Sequence, residues 1–172
     1  MEAGSRREKI LEMIRQQQAP VSASRLAQTL HVSRQIIVGD VALLRAQGCE
    51  IIATARGYIV PQPAESGRYL GKVACQHTAA DTVWELYAIV DAGAVVVNVV
   101  VDHDLYGEIA GQLNLSSRED VDAFVQKAAS TKAKLLSELT MGVHLHTVAC
   151  RDRDHFEQVR QALEQKGYLF HN

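Results

Sequence analysis

Cysteine and proline are scarce in this chain of 172 residues, which has three of each. The cysteines at positions 49, 75 and 150 are odd in number, lie far apart and form no Cys-x-x-Cys pair. This pattern indicates a reducing compartment, so we expect a cytoplasmic protein with three structural thiols.

Long hydrophobic runs are also absent from the sequence. No apolar stretch is long enough to span a bilayer, so we expect no membrane partner. The charged start at residues 1–7 leads into a helical pattern instead of the apolar core of a signal peptide. No internal repeat or low-complexity tract is visible. The length suits one moderate globular domain or two small ones.

Charge is unevenly distributed along the chain, although the net charge is only −2. Residues 1–60 carry eight Lys or Arg against five Asp or Glu, a net +3, and residues 61–172 carry ten against fifteen, a net −5. A basic front part joined to an acidic rear part fits a nucleic-acid-binding head attached to a second domain.

Residues 1–62 are predicted to form a winged helix-turn-helix domain. Apolar residues recur at helical spacing over 5–18, 23–30 and 33–47, and Ser22 and Ser33 are good N-caps for the second and third helices. Two short helices joined by a tight turn are typical of a helix-turn-helix. Short strands at 50–53 and 58–60 predict a hairpin wing. The alternative is a small helical bundle that binds no DNA.

The third helix is expected to read DNA with the polar residues near its start, while Ile37, Val41 and Leu44 face the core. Gly39 is unfavourable inside such a helix and leaves no side chain near the DNA. Including the wing, whose tip should reach phosphate or the minor groove, the predicted DNA-binding residues are Ser33, Arg34, Gln35, Val38, Arg45, Thr54 and Arg56.

Residues 61–67, with two prolines and a glycine, form the best domain boundary in the chain. Beyond it, residues 68–172 are predicted to fold as an α/β sandwich with one sheet and helices packed on it. Strands are expected at 69–75, 95–101 and 142–150, the middle one central with both faces covered. Helices are expected at 81–90, 107–113, 117–129 with Ser116 as cap, and 153–166.

His144 and His146 are two residues apart on a predicted strand, so they should project from one face. Val143 and Leu145 would then face the core. Histidine is a common ligand for zinc, nickel and similar ions. The second half of a metal site can come from His77 at a strand end and Glu85 in the next helix, and His103 is an alternative donor. The remaining histidines, at 31, 155 and 171, are expected on the surface. The alternative is a strand edge with two solvated histidines.

Several motifs together resemble a known family. They are Ser33-Arg34-Gln35-x-Ile37-Val38-x-Asp40-Val41, Ala53-Thr54-x-Arg56-Gly57-Tyr58, Ile89-Val90-Asp91-x-Gly93, His103-x-x-Tyr106-Gly107, Ser117-Arg118-x-Asp120-Val121 and Leu139-Thr140-x-Gly142-Val143-His144-Leu145-His146. Their order resembles the NiaR-type nicotinate-responsive repressors, which join a winged helix-turn-helix head to a three-histidine (3H) domain. Asp104 and Gly39 depart from that pattern.

The resemblance implies a homodimer that represses genes of NAD synthesis and niacin uptake on operator DNA, with nicotinic acid as co-repressor. It also implies a divalent metal held by His77, Glu85, His144 and His146, with nickel or zinc expected first and iron or manganese as alternatives. The nicotinate carboxylate needs donors, which Arg118, Ser117 or Thr140 can supply. With the loop residues His103 and Tyr106, these form the expected effector site.

Three other classes compete with a nicotinate-responsive repressor. The metal ion itself could be the signal, or a small metallo-hydrolase could be fused to a DNA-binding head. Four protein ligands argue against catalysis, and the chain has no His-Glu-x-x-His helix. A biotin-type repressor-ligase shares the head, but this rear domain is too short and lacks its glycine-arginine substrate loop. We therefore expect a regulator and not an enzyme.

Overall fold

The computed structural model describes residues 2–61 and 68–171. The chain divides into two compact units, Met1–Ala64 and Glu65–Asn172, which are described separately below. The predicted boundary at 61–67 lies outside the described residues, except for Pro61. Within the described ranges, no helix combines the length and the hydropathy that crossing a membrane requires.

The front unit contains three helices and a hairpin: α1 (Ala3–Arg15), α2 (Ala23–Leu30), α3 (Arg34–Ala46), β1 (Ile52–Thr54) and β2 (Gly57–Ile59). Ser22 and Ser33 cap α2 and α3 as predicted, because their hydroxyls accept the backbone N–H of Arg25 and of Ile36. His31 adopts the left-handed conformation between the two helices, which makes the turn tight. α1 begins and ends earlier than the apolar pattern predicted.

Apolar residues from all three helices form one core in the front unit, with Ile10, Ile14, Leu26 and Ile37 almost fully buried. Asp40 of α3 is also buried and accepts a hydrogen bond from Arg6 Nε at 2.6 Å. This charged pair ties α1 to α3. Together with the buried Ile37, Val41 and Leu44, it holds one face of α3 towards the core.

The rear unit is built on a four-stranded antiparallel sheet in the order β3-β6-β4-β5. The strands are β3 (Tyr69–Gln76), β4 (Val95–His103), β5 (Gly107–Leu115) and β6 (Val143–Cys150). Helices α4 (Thr82–Asp91), α5 (Arg118–Thr131) and α6 (Arg153–Gln165) complete the unit, with short 3₁₀ helices at Ala79–Asp81 and Leu136–Thr140. The prediction of an α/β sandwich with one sheet is confirmed.

Helices cover one face of this sheet. Phe156 of α6 packs so closely over Gly71 of β3 that a Cβ at Gly71 would lie 2.3 Å from its ring. Leu136 lies over Gly111 of β5 on the same face, and α5 packs against α4. The opposite face is partly exposed, and Leu70 there is 63% exposed. A buried site in this unit must therefore lie on the helix-covered face.

One predicted element of the rear unit and one predicted helix cap were wrong. Residues 107–113 form a strand, not a helix: β5 pairs with β4 across a three-residue loop, and Gly107, which follows the loop, has φ +68°. Its buried residues Leu113 and Leu115 alternate with period two, as in a strand. The N-cap of α5 is Ser117, whose hydroxyl accepts the Asp120 N–H, while Ser116 bonds the Asp120 carboxylate.

β4 lies inside the sheet as predicted, but only part of it is buried. Val96, Val100 and Val101 are buried, whereas Val95, Val97 and Val99 are half-buried. The orientation predicted for β6 was also wrong. His144 and His146 face the helix-covered side, and Val143 and Leu145 face the partly exposed side. The strand therefore places imidazoles in the interior, where they require polar partners.

Two glycines of the front unit should respond oppositely to substitution by alanine. Gly39 lies in an exposed part of α3, and a Cβ added there would meet nothing within 4 Å, so Gly39→Ala should raise the free energy of unfolding by about 0.5–1 kcal/mol. At Gly57, φ is +139° and a Cβ would lie 2.4 Å from the Val21 carbonyl oxygen. Gly57→Ala should lower it by about 1–3 kcal/mol. Denaturant titrations would measure both, and similar effects would contradict this account of the wing.

Candidate metal centre and nucleic-acid interface

Four polar side chains meet on the helix-covered face of the rear unit. His144 and His146 project from β6, Glu85 lies in the first turn of α4, and His77 follows β3. Glu85 is 1% exposed, and both β6 histidines are 3% exposed. The structure thus brings together the four side chains that the sequence suggested as a ligand set.

The Nε2 atoms of all three histidines converge on the carboxylate of Glu85. His144 Nε2 lies 3.0 Å from Oε1, and His146 Nε2 lies 3.4 Å from Oε2. His77 Nε2 is closer to Oε2, at 2.7 Å, yet within the described chain it has no partner in hydrogen-bonding geometry. Its distance therefore reports an ionic contact and not a formed hydrogen bond.

The other ring nitrogen of each histidine is bound to a backbone carbonyl. His77 Nδ1 lies 2.8 Å from the Thr78 oxygen, His144 Nδ1 lies 2.8 Å from the Gly142 oxygen, and His146 Nδ1 lies 2.7 Å from the Asn98 oxygen. A carbonyl oxygen can only accept, so each Nδ1 must carry a hydrogen. In a neutral ring, each Nε2 then presents a lone pair.

This arrangement requires positive charge beside the Glu85 carboxylate. An ionised carboxylate only accepts hydrogen bonds, so three Nε2 lone pairs directed at it would repel it. Either protons on the imidazoles or a metal ion must lie between them. Fixing Nδ1–H on a carbonyl is how proteins orient histidine to ligate a metal through Nε2.

Electrostatics within the cluster favour a charged carboxylate. Burial alone would raise the pKa of Glu85, but the surrounding histidines outweigh it and hold the pKa well below its ordinary value. Burial lowers the pKa of His146, and the charge of Glu85 more than reverses that effect. The same balance raises the pKa of His77. The anion therefore attracts positive charge to the position that a metal would fill.

Gly142 brings the two sides of the cluster together. Its φ is +87°, and a Cβ there would lie 2.3 Å from the His77 carbonyl oxygen. Only glycine therefore lets the start of β6 approach the loop that carries His77, and the Gly142 carbonyl also fixes His144. Sequence reasoning missed this role, although a glycine just before a His-x-His strand was a usable signal.

The residues present fit a divalent metal. His77, His144 and His146 would hold it through Nε2 and Glu85 through its carboxylate, a donor set that suits zinc, nickel or iron. Such an ion would lie between the Nε2 lone pairs and the carboxylate and would remove the repulsion between them. Cys75 of β3 is a further possible donor: ligand atoms of Cys75, Glu85 and His144 all lie within 4.8 Å of one another.

The remaining histidines have other roles. The prediction that His155 lies on the surface was wrong, because it is 4% exposed. Its Nδ1 accepts the Arg151 N–H, and its Nε2 donates to the Ala92 carbonyl, so both ring nitrogens are hydrogen-bonded to the backbone. His103 accepts the N–H groups of the loop between β4 and β5. His31 and His171 are exposed.

The residues expected to bind an effector carboxylate are engaged within the protein. Arg118 donates to both carboxylate oxygens of Asp91, at 2.7 and 2.6 Å, and its guanidinium lies 4.4 Å from the centre of the Tyr87 ring. These hydrogen bonds hold the pKa of Asp91 below its ordinary value. The Thr140 hydroxyl bonds the Val143 carbonyl, and the Ser117 hydroxyl caps α5. Tyr106 is 73% exposed beside His103.

A cleft of about 510 Å³ opens beside His77. Its lining residues are Gln76, His77, Thr78, Ala79, Ser137, Glu138, Met141 and Gly142. Their positions place the cleft between the loop after β3 and the 3₁₀ helix before β6. Its volume falls in the range of small-molecule sites. None of the five predicted effector residues lines it.

In the front unit, α3 exposes a face that could enter a DNA groove. Arg34 and Gln35 are exposed in its first turn, and Arg45 is exposed in its last. Val38 was expected on this face, but it is partly buried against the core. The centre of the exposed face carries Gly39, where a side chain would meet open space.

The wing is held by a hydrogen-bonded threonine. The Thr54 hydroxyl donates to the Gly57 carbonyl at 2.9 Å and accepts the Arg56 N–H at 3.2 Å. Thr54 thus shapes the turn whose tip carries Arg56. β2 is anchored to the segment between α1 and α2 by paired backbone hydrogen bonds between Val21 and Tyr58.

Comparisons with known proteins agree with this architecture. The model of the 3H domain matches residues 71–172, and a helix-turn-helix domain model matches residues 6–59. The transcription repressor NadR of Bacillus subtilis (strain 168) is 38% identical over 167 residues, which cover 96% of this chain and 93% of the relative. The probable transcription repressor NiaR of Thermotoga maritima is 39% identical over 160 residues, covering 93% and 90%.

A helix-turn-helix unit followed by a 3H domain defines a two-domain transcription regulator. The chain belongs to the family of NadR- and NiaR-type repressors, because both domain models match and the relatives align over nearly its whole length. The resemblance inferred from the sequence motifs is therefore confirmed. Since both relatives are named as repressors, the expectation of a regulator in place of an enzyme is also confirmed.

Substitution of histidines should separate ligand roles from structural roles. His144→Ala should abolish most metal retention, measured by elemental analysis of dialysed protein, because one inward Nε2 is lost. His155→Ala should lower stability without changing metal content, because both of its ring nitrogens bond backbone. His171→Ala is a control at an exposed position. Wild-type protein that neither carries metal nor binds it on titration would contradict the metal centre.

Proposed function

We propose that this protein is a metal-containing transcriptional repressor that responds to nicotinic acid. In this proposal a homodimer binds operator DNA of genes for NAD synthesis and niacin uptake, and nicotinic acid strengthens that binding. His77, Glu85, His144 and His146 hold a divalent metal ion in each rear domain. The observation that supports the metal assignment is the convergence of three Nε2 atoms on one buried carboxylate, while backbone carbonyls occupy the three Nδ1 atoms.

DNA binding is assigned to α3 and the wing. Arg34 and Gln35 stand at the end of α3 that reaches base edges in helix-turn-helix proteins. Only a few side chains project from the exposed face, because Gly39 has none and Val38 packs inward. One head therefore reads few bases, and two heads in a dimer would be needed to specify an operator with paired half-sites.

We place the effector in the cleft beside His77. Nicotinic acid has a pyridine nitrogen suited to a metal or to a hydrogen-bond donor, and a carboxylate that needs donors. Gln76 offers an amide and Ser137 a hydroxyl among the lining residues. A ligand in the cleft would contact His77, one of the proposed metal ligands. It would also contact Gly142, whose carbonyl orients His144.

A metal-responsive repressor is the second candidate, and one observation favours it. Arg118, the cation expected to bind the effector carboxylate, already forms a bidentate pair with Asp91. The cleft is also lined by Glu138, whose charge opposes an anionic ligand. If the metal ion alone controls DNA binding, the pair between Arg118 and Asp91 does not have to break, and the cleft does not have to accept an anion.

Substitutions in the front unit would test the assignment of DNA contacts. Gln35→Ala should relax discrimination between operator sequences, since each lost base contact is worth about 1–3 kcal/mol. Arg56→Ala should weaken specific and non-specific binding together, because a contact to phosphate carries no sequence information. Gel-shift titrations on operator and scrambled DNA would measure both effects. Unchanged affinity and selectivity in both variants would refute this placement.

The response to nicotinic acid tests the functional proposal. Operator affinity of metal-loaded protein should rise with nicotinic acid, by a factor in the usual range of about 5–150 for coupled sites. Nicotinamide should do less, because its neutral amide forms no charge-assisted bond. The effect should vanish in the double variant His144→Ala, His146→Ala, whose front unit keeps its own core and should still bind DNA weakly.

Fluorescence anisotropy with labelled operator, with and without each ligand, would measure this coupling. Reciprocity adds an internal check, because operator DNA must tighten nicotinic acid binding by the same factor. Equal operator affinity with and without nicotinic acid would overturn the co-repressor role. A response to metal alone would then select the second candidate.

A further inference from the structure

Cys75 stands beside the proposed metal ligands on the same face of the sheet. It is fully buried and pairs directly with His144 across the β3–β6 ladder. Directly opposed residues of antiparallel strands project from the same face with Cβ atoms about 4.5–5.5 Å apart. His77 follows Cys75 by two residues along the chain, and its ring contacts the His144 ring, with the two centroids 4.9 Å apart. Cys75 is therefore a neighbour of both imidazoles.

We propose that Cys75 is a fifth donor of this centre, binding the metal as a thiolate, and that the site therefore takes a thiophilic divalent ion such as zinc or nickel. The inference rests on the metal binding proposed above and adds a ligand that the three-histidine pattern does not contain. It changes the donor set from three nitrogens and a carboxylate to one that also includes sulfur.

Distance supports this ligand. Ligand atoms of Cys75, Glu85 and His144 lie within 4.8 Å of one another. At a tetrahedral angle, a sulfur and a nitrogen bound to one zinc ion lie about 3.6 Å apart, since Zn–S is about 2.3 Å and Zn–N about 2.0–2.1 Å. Side-chain adjustments of up to about 1 Å would therefore bring the three atoms around one ion.

A second observation points to the same centre. The His77 side chain is 4% exposed, and its Nε2 faces Glu85 without hydrogen-bonding geometry to any group in residues 2–61 and 68–171. A buried nitrogen without a hydrogen bond is costly unless a ligand satisfies it. An ion bound between Glu85 and Cys75 would supply that partner.

Charge balance favours the thiolate. With Glu85 as the one anion, a bound 2+ ion leaves a net charge of +1 in a buried site. If Cys75 binds, its S–H bond breaks, the proton passes to bulk water and the sulfur bonds the metal, so the centre becomes neutral. No electron is transferred. A neutral buried centre avoids most of the desolvation cost of a charged one.

Sulfur in the donor set would also set metal preference. Thiolate favours zinc and other soft or borderline ions, whereas manganese and magnesium prefer oxygen donors. The Cys75→Ala variant should therefore bind zinc more weakly and discriminate less between zinc and manganese. Loss of outer partners of a metal site typically costs about 10- to 100-fold in affinity, and an inner ligand should matter at least as much.

Cobalt spectroscopy of the full chain provides the test. Wild-type protein loaded with Co²⁺ should show a thiolate-to-cobalt charge-transfer band, which Cys75→Ala should lack. Cys150→Ala is the matched control, because Cys150 is a buried thiol of the same β6 strand, six residues or about 20 Å from His144. It should keep the band. Circular dichroism would verify that the variants fold.

X-ray absorption of zinc-loaded wild-type protein answers the question without any variant. A sulfur scatterer in the first shell, at about 2.3 Å, would support the inference. A shell of nitrogen and oxygen alone would overturn it while leaving the metal-containing repressor intact. Protein that binds no zinc or cobalt would overturn both the inference and the metal centre proposed above.

Discussion

The rear domain depends on a buried carboxylate surrounded by three imidazoles. Glu85 is 1% exposed, and a lone charge at that depth would cost several kcal/mol even after relaxation. The cost is offset only if positive charge, on the imidazoles or on a metal ion, lies beside the carboxylate. The sheet, the first turn of α4 and the loop after β3 are arranged so that the imidazoles and the carboxylate meet. The N-terminal end of α4 also favours the anion through its aligned peptide dipoles.

Backbone carbonyls make this cluster rigid. Each Nδ1 hydrogen is held by a different segment: the loop after β3, the start of β6 and β4. A shift in any one of them would rotate an imidazole away from Glu85. The close approach at Gly142 couples two of these segments. This gives a physical route by which a ligand in the adjacent cleft would alter the centre, and such a route is what a sensor requires.

Much of this site was accessible from sequence, and the errors have specific causes. The alternation of side chains along a strand put His144 and His146 on one face, but it could not say which face the helices cover. Leu145 and Val143 are more apolar than the histidines, so the hydrophobic pattern predicted that they face the core. The partnership of Glu85 with the imidazoles overrode that preference. β5 was missed because its alternation is weak, with Gly111 at an inward position.

Histidine roles show where sequence reasoning ends. His155 and His144 are both buried in regular elements. They differ in which ring nitrogen donates to a backbone carbonyl. His155 uses Nε2 as a donor to a carbonyl, so it has no lone pair directed at a carboxylate. His144 uses Nδ1 in that role and keeps Nε2 for Glu85. Residue spacing in the sequence cannot reveal which ring nitrogen bonds a carbonyl. For His155, that carbonyl belongs to Ala92, which is far away in the chain. The distinction between a structural and a ligating histidine is therefore set by tertiary structure.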